Sequence, residues 1–157
     1  MENIKLNINQ AKEKKLPSNP DAEQSLIGSV LVNNDIIDEI SNIVNSGKFF
    51  DPMHRKIYEV IENLNNKGMI ANPITLKNFF ENDKGLTEVG GVDYLVKLTR
   101  FSCSVKQAID YAKIIHEMYV KRELIFIADN VSLEAKDEQV DKSGENIIED
   151  AEKSLFD

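Results

Sequence analysis

"SVKQAIDYAKIIHEMYVKRELIFIADNVSLEAKD", residues 104–137, contains neither proline nor glycine. Those are the two residues that break or weaken a helix interior. The stretch therefore predicts one uninterrupted helix of roughly 30 residues, on the order of 45 Å long at 1.5 Å per residue. Ser104 is its candidate N-cap. Leu124, Ile125, Phe126, Ile127, Ala128 and Val131 crowd its C-terminal half, and Ile109, Ala112, Ile115 and Tyr119 carry apolar character toward its start. A helix that is apolar on more than one face has to be covered on more than one side. Beyond it, "KDEQVDKSGE" is polar and turn-prone. Ser143 is positioned to cap a last helix through Ile147, Ile148, Ala151 and Leu155. Residues 104–157 thus read as a helical hairpin.

One short partner helix covers one face of the long one. The remainder packs either on the preceding domain or on another chain, and the length of the helix favours self-association. Leu124, Ile125, Ala128 and Val131 keep i, i+1, i+4, i+7 spacing and are the predicted buried stripe of that contact.

Upstream, residues 16–103 read as a compact head of about five helices. Asn19 is a candidate cap with Pro20 at the first helical position. Ala22, Leu26, Ile27, Val30 and Leu31 follow at helical spacing. Asp21 and Glu23 fall in that first turn, where carboxylates complement the helix dipole, and Glu23 is placed to close back onto the cap. Their pairing thus has a structural cause, and no acid–base role is assigned. A second helix starts near Asp35, with Ile36, Ile37, Ile40, Ile43 and Val44 inward. In "KFFDPMHRKIYEVIENLNNKG", Asp51 caps, Pro52 opens a third helix, and Gly68 ends it. A fourth opens at "NPITL" with Leu76, Phe79 and Phe80 inward. "NDKG" reads as a turn. "LTEVGGVDYLVKL" gives a fifth helix from about Glu88, entered through Gly90 and Gly91. No strand alternation or tandem repeat interrupts this pattern, so the class is all-α.

The chain has 157 residues, a net charge of −8 and a single cysteine, Cys103. An acidic balance is a poor match for phosphate backbones, whose affinity comes from Lys and Arg releasing counterions. One cysteine excludes an intramolecular disulfide and cysteine-pair zinc sites, and points to a reducing, cytoplasmic setting. Residues 1–15 form a polar leader with the basic cluster "KEKKL", without the apolar run of a secretory signal. The glycines make neither a P-loop nor a dinucleotide fingerprint. His54 and His116 lie in separate helices, neither with a second His or a Cys at metal-ligand spacing, and both read as surface or half-buried structural histidines. Lys48, Arg55 and Lys56, and separately Lys121 and Arg122, are small basic clusters flanked by acids. No catalytic, metal or cofactor-binding residue is assigned.

The order of motifs resembles the N-terminal domain of bacterial DnaB-type replicative DNA helicases. "LPSNPDAEQSLIGSVLVN", "FFDPMHRKIYEVIENLNNKG", "NPITLKNFF", "LTEVGGVDYLVKL", "AIDYAKIIHEMYVKREL" and "EDAEKSLFD" follow in that family's order over residues 16–157. The resemblance implies a helical head and a hairpin that pairs between subunits. It also implies a collar above a hexameric ring, and docking of the C-terminal helical domain of primase. It places the linker and RecA-like ATPase after this segment, so the chain is expected to be an isolated domain without ATPase activity. ATP, Mg and 5′–3′ unwinding would then belong to the full-length protein. Tyr94 is a lesser candidate for partner contact. Two other readings stay open: a nucleic-acid-binding helical module, and the helicase-binding domain of a primase, against which "DAEQS" argues. An enzyme of another kind has no motif to support it.

Overall fold

The computed structural model describes residues 15–138 and 141–157. Most of the polar leader, with Lys12 and Lys14 of its basic cluster, lies outside the described residues. Within them the chain is all-helical: α1 Pro20–Val32, α2 Ile36–Ile40, a 3₁₀ turn Ser46–Lys48, α3 Pro52–Asn66, α4 Pro73–Phe80, α5 Lys84–Glu88, α6 Val92–Thr99, α7 Val105–Lys136 and α8 Gly144–Phe156. No described helix is long and apolar enough to cross a membrane. The chain forms two compact units. The first is Ser18–Val120; the second comprises Lys121–Asp157 with the described residues up to Pro17. The expected boundary at residue 103 marks the start of α7, whereas the first unit runs on to Val120 within that helix.

Helix starts follow local chemistry. The Ala22 amide donates to Asn19 Oδ1 at 3.0 Å. The Met53 amide donates to Asp51 Oδ1 at 2.8 Å. Ser104 and Gln107 cap α7 reciprocally, each amide donating to the other's side chain at 3.2 Å. The Asn146 amide donates to Ser143 Oγ at the start of α8. Each bond satisfies a first-turn N–H that the helix itself leaves unpaired.

Helix ends follow glycine. After α3, Gly68 takes φ +71°. Its amide then reaches Asn65 O and the Met69 amide reaches Leu64 O, a Schellman closure. Gly90 and Gly91 do the same after α5, where the Gly91 amide donates to Leu86 O at 2.7 Å. These two glycines therefore end one helix as well as entering the next. The segment read as a turn at 82–85 instead caps and begins α5, because Asp83 Oδ1 accepts the Leu86 amide. The helix expected from Glu88 starts only at Val92.

The first unit's core is built around α1, which is buried along most of its length. Ile57, Ile61 and Leu64 of α3, Leu76 of α4, Leu95 and Leu98 of α6, and Ala108, Ala112 and Ile115 of α7 close over it. At Gly28 the backbones of α1 and α6 nearly touch: a Cβ there would lie 1.9 Å from Leu98 O. Leu76 and Phe80 point inward as expected. Phe79 does not, being 55% exposed: Phe79 and Phe80 lie on opposite flanks of Leu76, and the Phe80 flank is the one covered. Asn34 stitches a loop into this core. Its amide nitrogen donates to Val30 O and Ala71 O, and its oxygen accepts from the Ala71 amide at 2.8 Å.

In the second unit the last part of α7 pairs with α8. A groove of about 210 Å³ runs between them, lined among others by Ile127, Val131, Ile147 and Ala151. Lys142 spans its rim, 3.1 Å from Glu134 and 2.6 Å from Asp150. Those hydrogen bonds raise the Lys142 ammonium above its ordinary value, and the same contact lowers Asp150.

Candidate functional site

Three helices of the first unit meet in a polar chain. Glu23 is 2% exposed and His54 1% exposed. Glu23 Oε1 lies 2.8 Å from His54 Nδ1, and His54 Nε2 lies 2.6 Å from the Tyr94 hydroxyl. Glu23 also accepts the Phe50 amide at 2.8 Å and the Asp51 amide at 3.2 Å. A first-turn carboxylate of α1 thus completes the start of α3 rather than its own cap, correcting the expectation for Glu23. His54, expected at the surface or half-buried, is fully buried. Tyr94 is half-buried and packs its ring parallel to that of His54. Burial raises the Tyr94 hydroxyl above the ordinary phenol value. The charge of Asp51 adds to the rise, a hydrogen bond with Gln24 opposes it, and the charge of Glu23 also raises it.

An acceptor, an imidazole and a hydroxyl in line resemble an activated nucleophile. Here each atom is used to join α1, α3 and α6. Glu23 and His54 are 31 residues apart, and His54 and Tyr94 are 40 apart. Local pattern gives no signal for such a contact. Among the described residues, no group of three or more His, Cys, Asp or Glu is arranged to hold a metal ion. Cys103 is a free, half-buried thiol 3.1 Å from Ser29 Oγ.

The basic clusters are largely occupied within the chain. Lys48 Nζ donates to Ile43 O and contacts His116 Nδ1. Arg55 donates to Phe49 O and Phe50 O. Lys56 pairs with Asp83. Arg122 is 6% exposed and donates to Pro17 O at 2.8 Å. A side chain spent on a carbonyl in its own fold is a poor phosphate contact.

The hairpin residues separate in the second unit. Val131 lines the groove against α8. Ile125 is half-buried, and Leu124 and Ala128 are exposed, Leu124 at 47%. Phe126, Leu133 and Ile148 add exposed apolar surface. The same 37 residues, Lys121–Asp157, hold 11 Asp and Glu against five Lys and Arg.

Capped helices, a helical pair with uncovered apolar side chains, and polar groups used as internal ties define a helical scaffold domain. The chain belongs to the DnaB-like helicase N-terminal domain family, whose model matches residues 15–117. It is similar to the replicative DNA helicase DnaB of Rickettsia felis, 41% identical over 142 residues covering 90% of this chain and 29% of that protein. The DnaB of Pasteurella multocida is 32% identical, over 89% of this chain and 30% of its own length. The chain thus spans about three-tenths of the curated relatives it matches. Among solved structures it resembles the N-terminal domain of the Mycobacterium tuberculosis DnaB helicase. The TM-score is 0.77 at 25% identity, covering 90% of this chain and 99% of that one. A structure of a DnaB-like replicative helicase and its interactions with primase shares the fold. There the TM-score is 0.68 at 23% identity, over 88% of this chain and 31% of that one.

Proposed function

We propose that this domain is the assembly and primase-docking module of a replicative DNA helicase. The full-length protein would unwind DNA 5′–3′ using ATP and Mg, and the domain would form a collar above a hexameric ring. Family membership supports the reading. The observation that carries it is the second unit, where Leu124, Phe126, Leu133 and Ile148 stand exposed on a helical pair. Exposed apolar side chains of this size on a helical pair support the reading of an interaction surface. The contact is assigned to Leu124, Ile125, Ala128 and Val131, with Tyr94 a secondary contact on the head.

Light scattering over a concentration series, together with titration of the primase C-terminal domain, tests the reading. Leu124→Asp and Ile125→Asp change the stripe outside the groove lining, whereas Val131→Asp also strikes the α7–α8 seam. The first two are expected to lower either association or primase affinity at least tenfold while circular dichroism is unchanged. Unchanged solution mass and unchanged primase affinity in both variants would overturn the assignment.

A further inference from the structure

The second unit lacks a core of its own. Among the described residues of Lys121–Asp157 no apolar side chain is buried, and Arg122 is the one buried residue. Ile127, Val131, Ile147 and Ala151, which line the groove between α7 and α8, are each half-buried. Two helices share a single seam, so an apolar lining of this kind needs a third layer to leave water. The groove, at about 210 Å³, cannot seat a helix about 10–12 Å across. It admits side chains of an extended segment. Its rim is net acidic, because Glu134 and Asp150 share the single Lys142.

We propose that the basic N-terminal leader of this same chain is the missing layer, with Ile4, Leu6 and Ile8 set into the groove between α7 and α8. The leader is tethered at the right place. Buried Arg122 donates to Pro17 O at 2.8 Å, and Arg122 precedes the first lining residue, Phe126, by one turn of α7. The groove runs along α7 to Glu134, about 18 Å beyond Arg122 at 1.5 Å per residue. Ile8 stands nine residues before Pro17, and an extended chain of that length reaches about 30 Å. The pattern fits an extended occupant, since alternate side chains of such a segment share one side and "IKLNI", residues 4–8, is apolar at every second position. The charge fits as well. Residues 1–17 hold four Lys against two Glu, whereas Lys121–Asp157 hold 11 Asp and Glu against five Lys and Arg. Tethering gives the segment an effective concentration on the order of millimolar, which favours it over a second copy or an untethered peptide. Residues 1–14 precede the part of the chain that the family model matches, so family membership gives them no role. Leu124, Ile125 and Ala128 are outside the groove lining, and the docking does not rest on helicase assembly or primase binding.

Methyl NMR on the whole chain tests the docking. Nuclear Overhauser contacts are expected from the methyls of Leu6 and Ile8 to those of Ile127, Val131 and Ile147. Leu6→Asp combined with Ile8→Asp should abolish them and shift the three groove signals, while the core signals of Leu26 and Ile57 stay in place. Lys12→Glu, Lys14→Glu and Lys15→Glu together should weaken the contacts roughly threefold or more, since each lost surface ion pair is worth a few tenths of a kcal/mol upward. Absence of the contacts in the wild type would overturn the docking. So would groove signals indifferent to both sets of substitutions. Contacts seen only between differently labelled molecules of a mixed sample would also overturn it, because the occupant would then be the leader of a second copy.

Discussion

Gly28→Ala tests the tightest contact of the head. The added Cβ would lie 1.9 Å from Leu98 O and 2.8 Å from Leu98 C, both backbone atoms of α6. Ordinary contact begins near 3.4 Å, so α6 has to retreat by roughly 1.5 Å, and a helix backbone cannot rotate aside as a side chain can. Overpacking of a closed core costs about 1–3 kcal/mol, occasionally more. The clash with backbone places this site at or above the top of that range. Replacing an interior helical glycine by alanine returns about 1 kcal/mol through propensity. The net expectation is a loss of about 2–3 kcal/mol. For a chain of this size that lowers Tm by about 5–10 °C, at roughly 2–4 °C per kcal/mol. Urea and thermal unfolding followed by circular dichroism give both numbers. Gly144→Ala is the control, since a Cβ there meets nothing within 4 Å. A Gly28→Ala protein as stable as the wild type, or stabilised like the control, would refute the close crossing of α1 and α6.

Glu23→Ala strips the acceptor from the Phe50 and Asp51 amides and from His54, and is expected to cost about 3–5 kcal/mol in urea unfolding; a loss under about 1 kcal/mol would contradict the buried chain. Leu76→Ala should cost about 2–5 kcal/mol, whereas Phe79→Ser stays within about 0.5 kcal/mol, and equal losses would mean that the phase of α4 is wrong. Burial raises the Tyr58 hydroxyl above its ordinary value of 10.0, with the charge of Glu62 adding to the rise, and burial also raises Tyr94. Above about pH 10 the unfolded chain therefore loses phenolic protons that the folded chain keeps, and stability present below that pH falls as pH rises. Phenolate absorbance from these two tyrosines should appear together with loss of helical dichroism, and Tyr58→Phe should flatten the fall; ionisation of Tyr58 near pH 10 in the folded protein would contradict its burial.

What was legible in the sequence was local. Asn19, Asp51, Ser104 and Ser143 cap helices as read, because a cap bonds an amide two or three residues away. The long helix followed from the absence of Pro and Gly over more than 30 residues. Phe79 was misplaced because "NFF" offers two adjacent aromatics and only the position of α6 decides which one is covered. The turn at 82–85 hid a helix because α5 is one turn of chain between an aspartate cap and a glycine pair. The tie from Glu23 to His54 and Tyr94 was out of reach, since nothing in a first-turn glutamate says which distant amides it will accept. Lys48, Arg55 and Arg122 looked like surface charge for a similar reason: their carbonyl partners are set by the fold.

Asn34 has a consequence for the dynamics of the head. By giving its amide to Val30 O and Ala71 O and taking the Ala71 N–H in return, it offers a loop backbone what a neighbouring strand would offer. Ala71, buried although it lies outside any helix, gains the protection of a paired amide. Local opening of that loop must break both of its bonds to Asn34, just beyond the end of α1. The Ala71 amide is therefore expected to exchange more slowly than the fast fraying usual in a connection between two helices. A protease meeting this surface would find Ala71 shielded although Met69 and Ile70 beside it stand exposed.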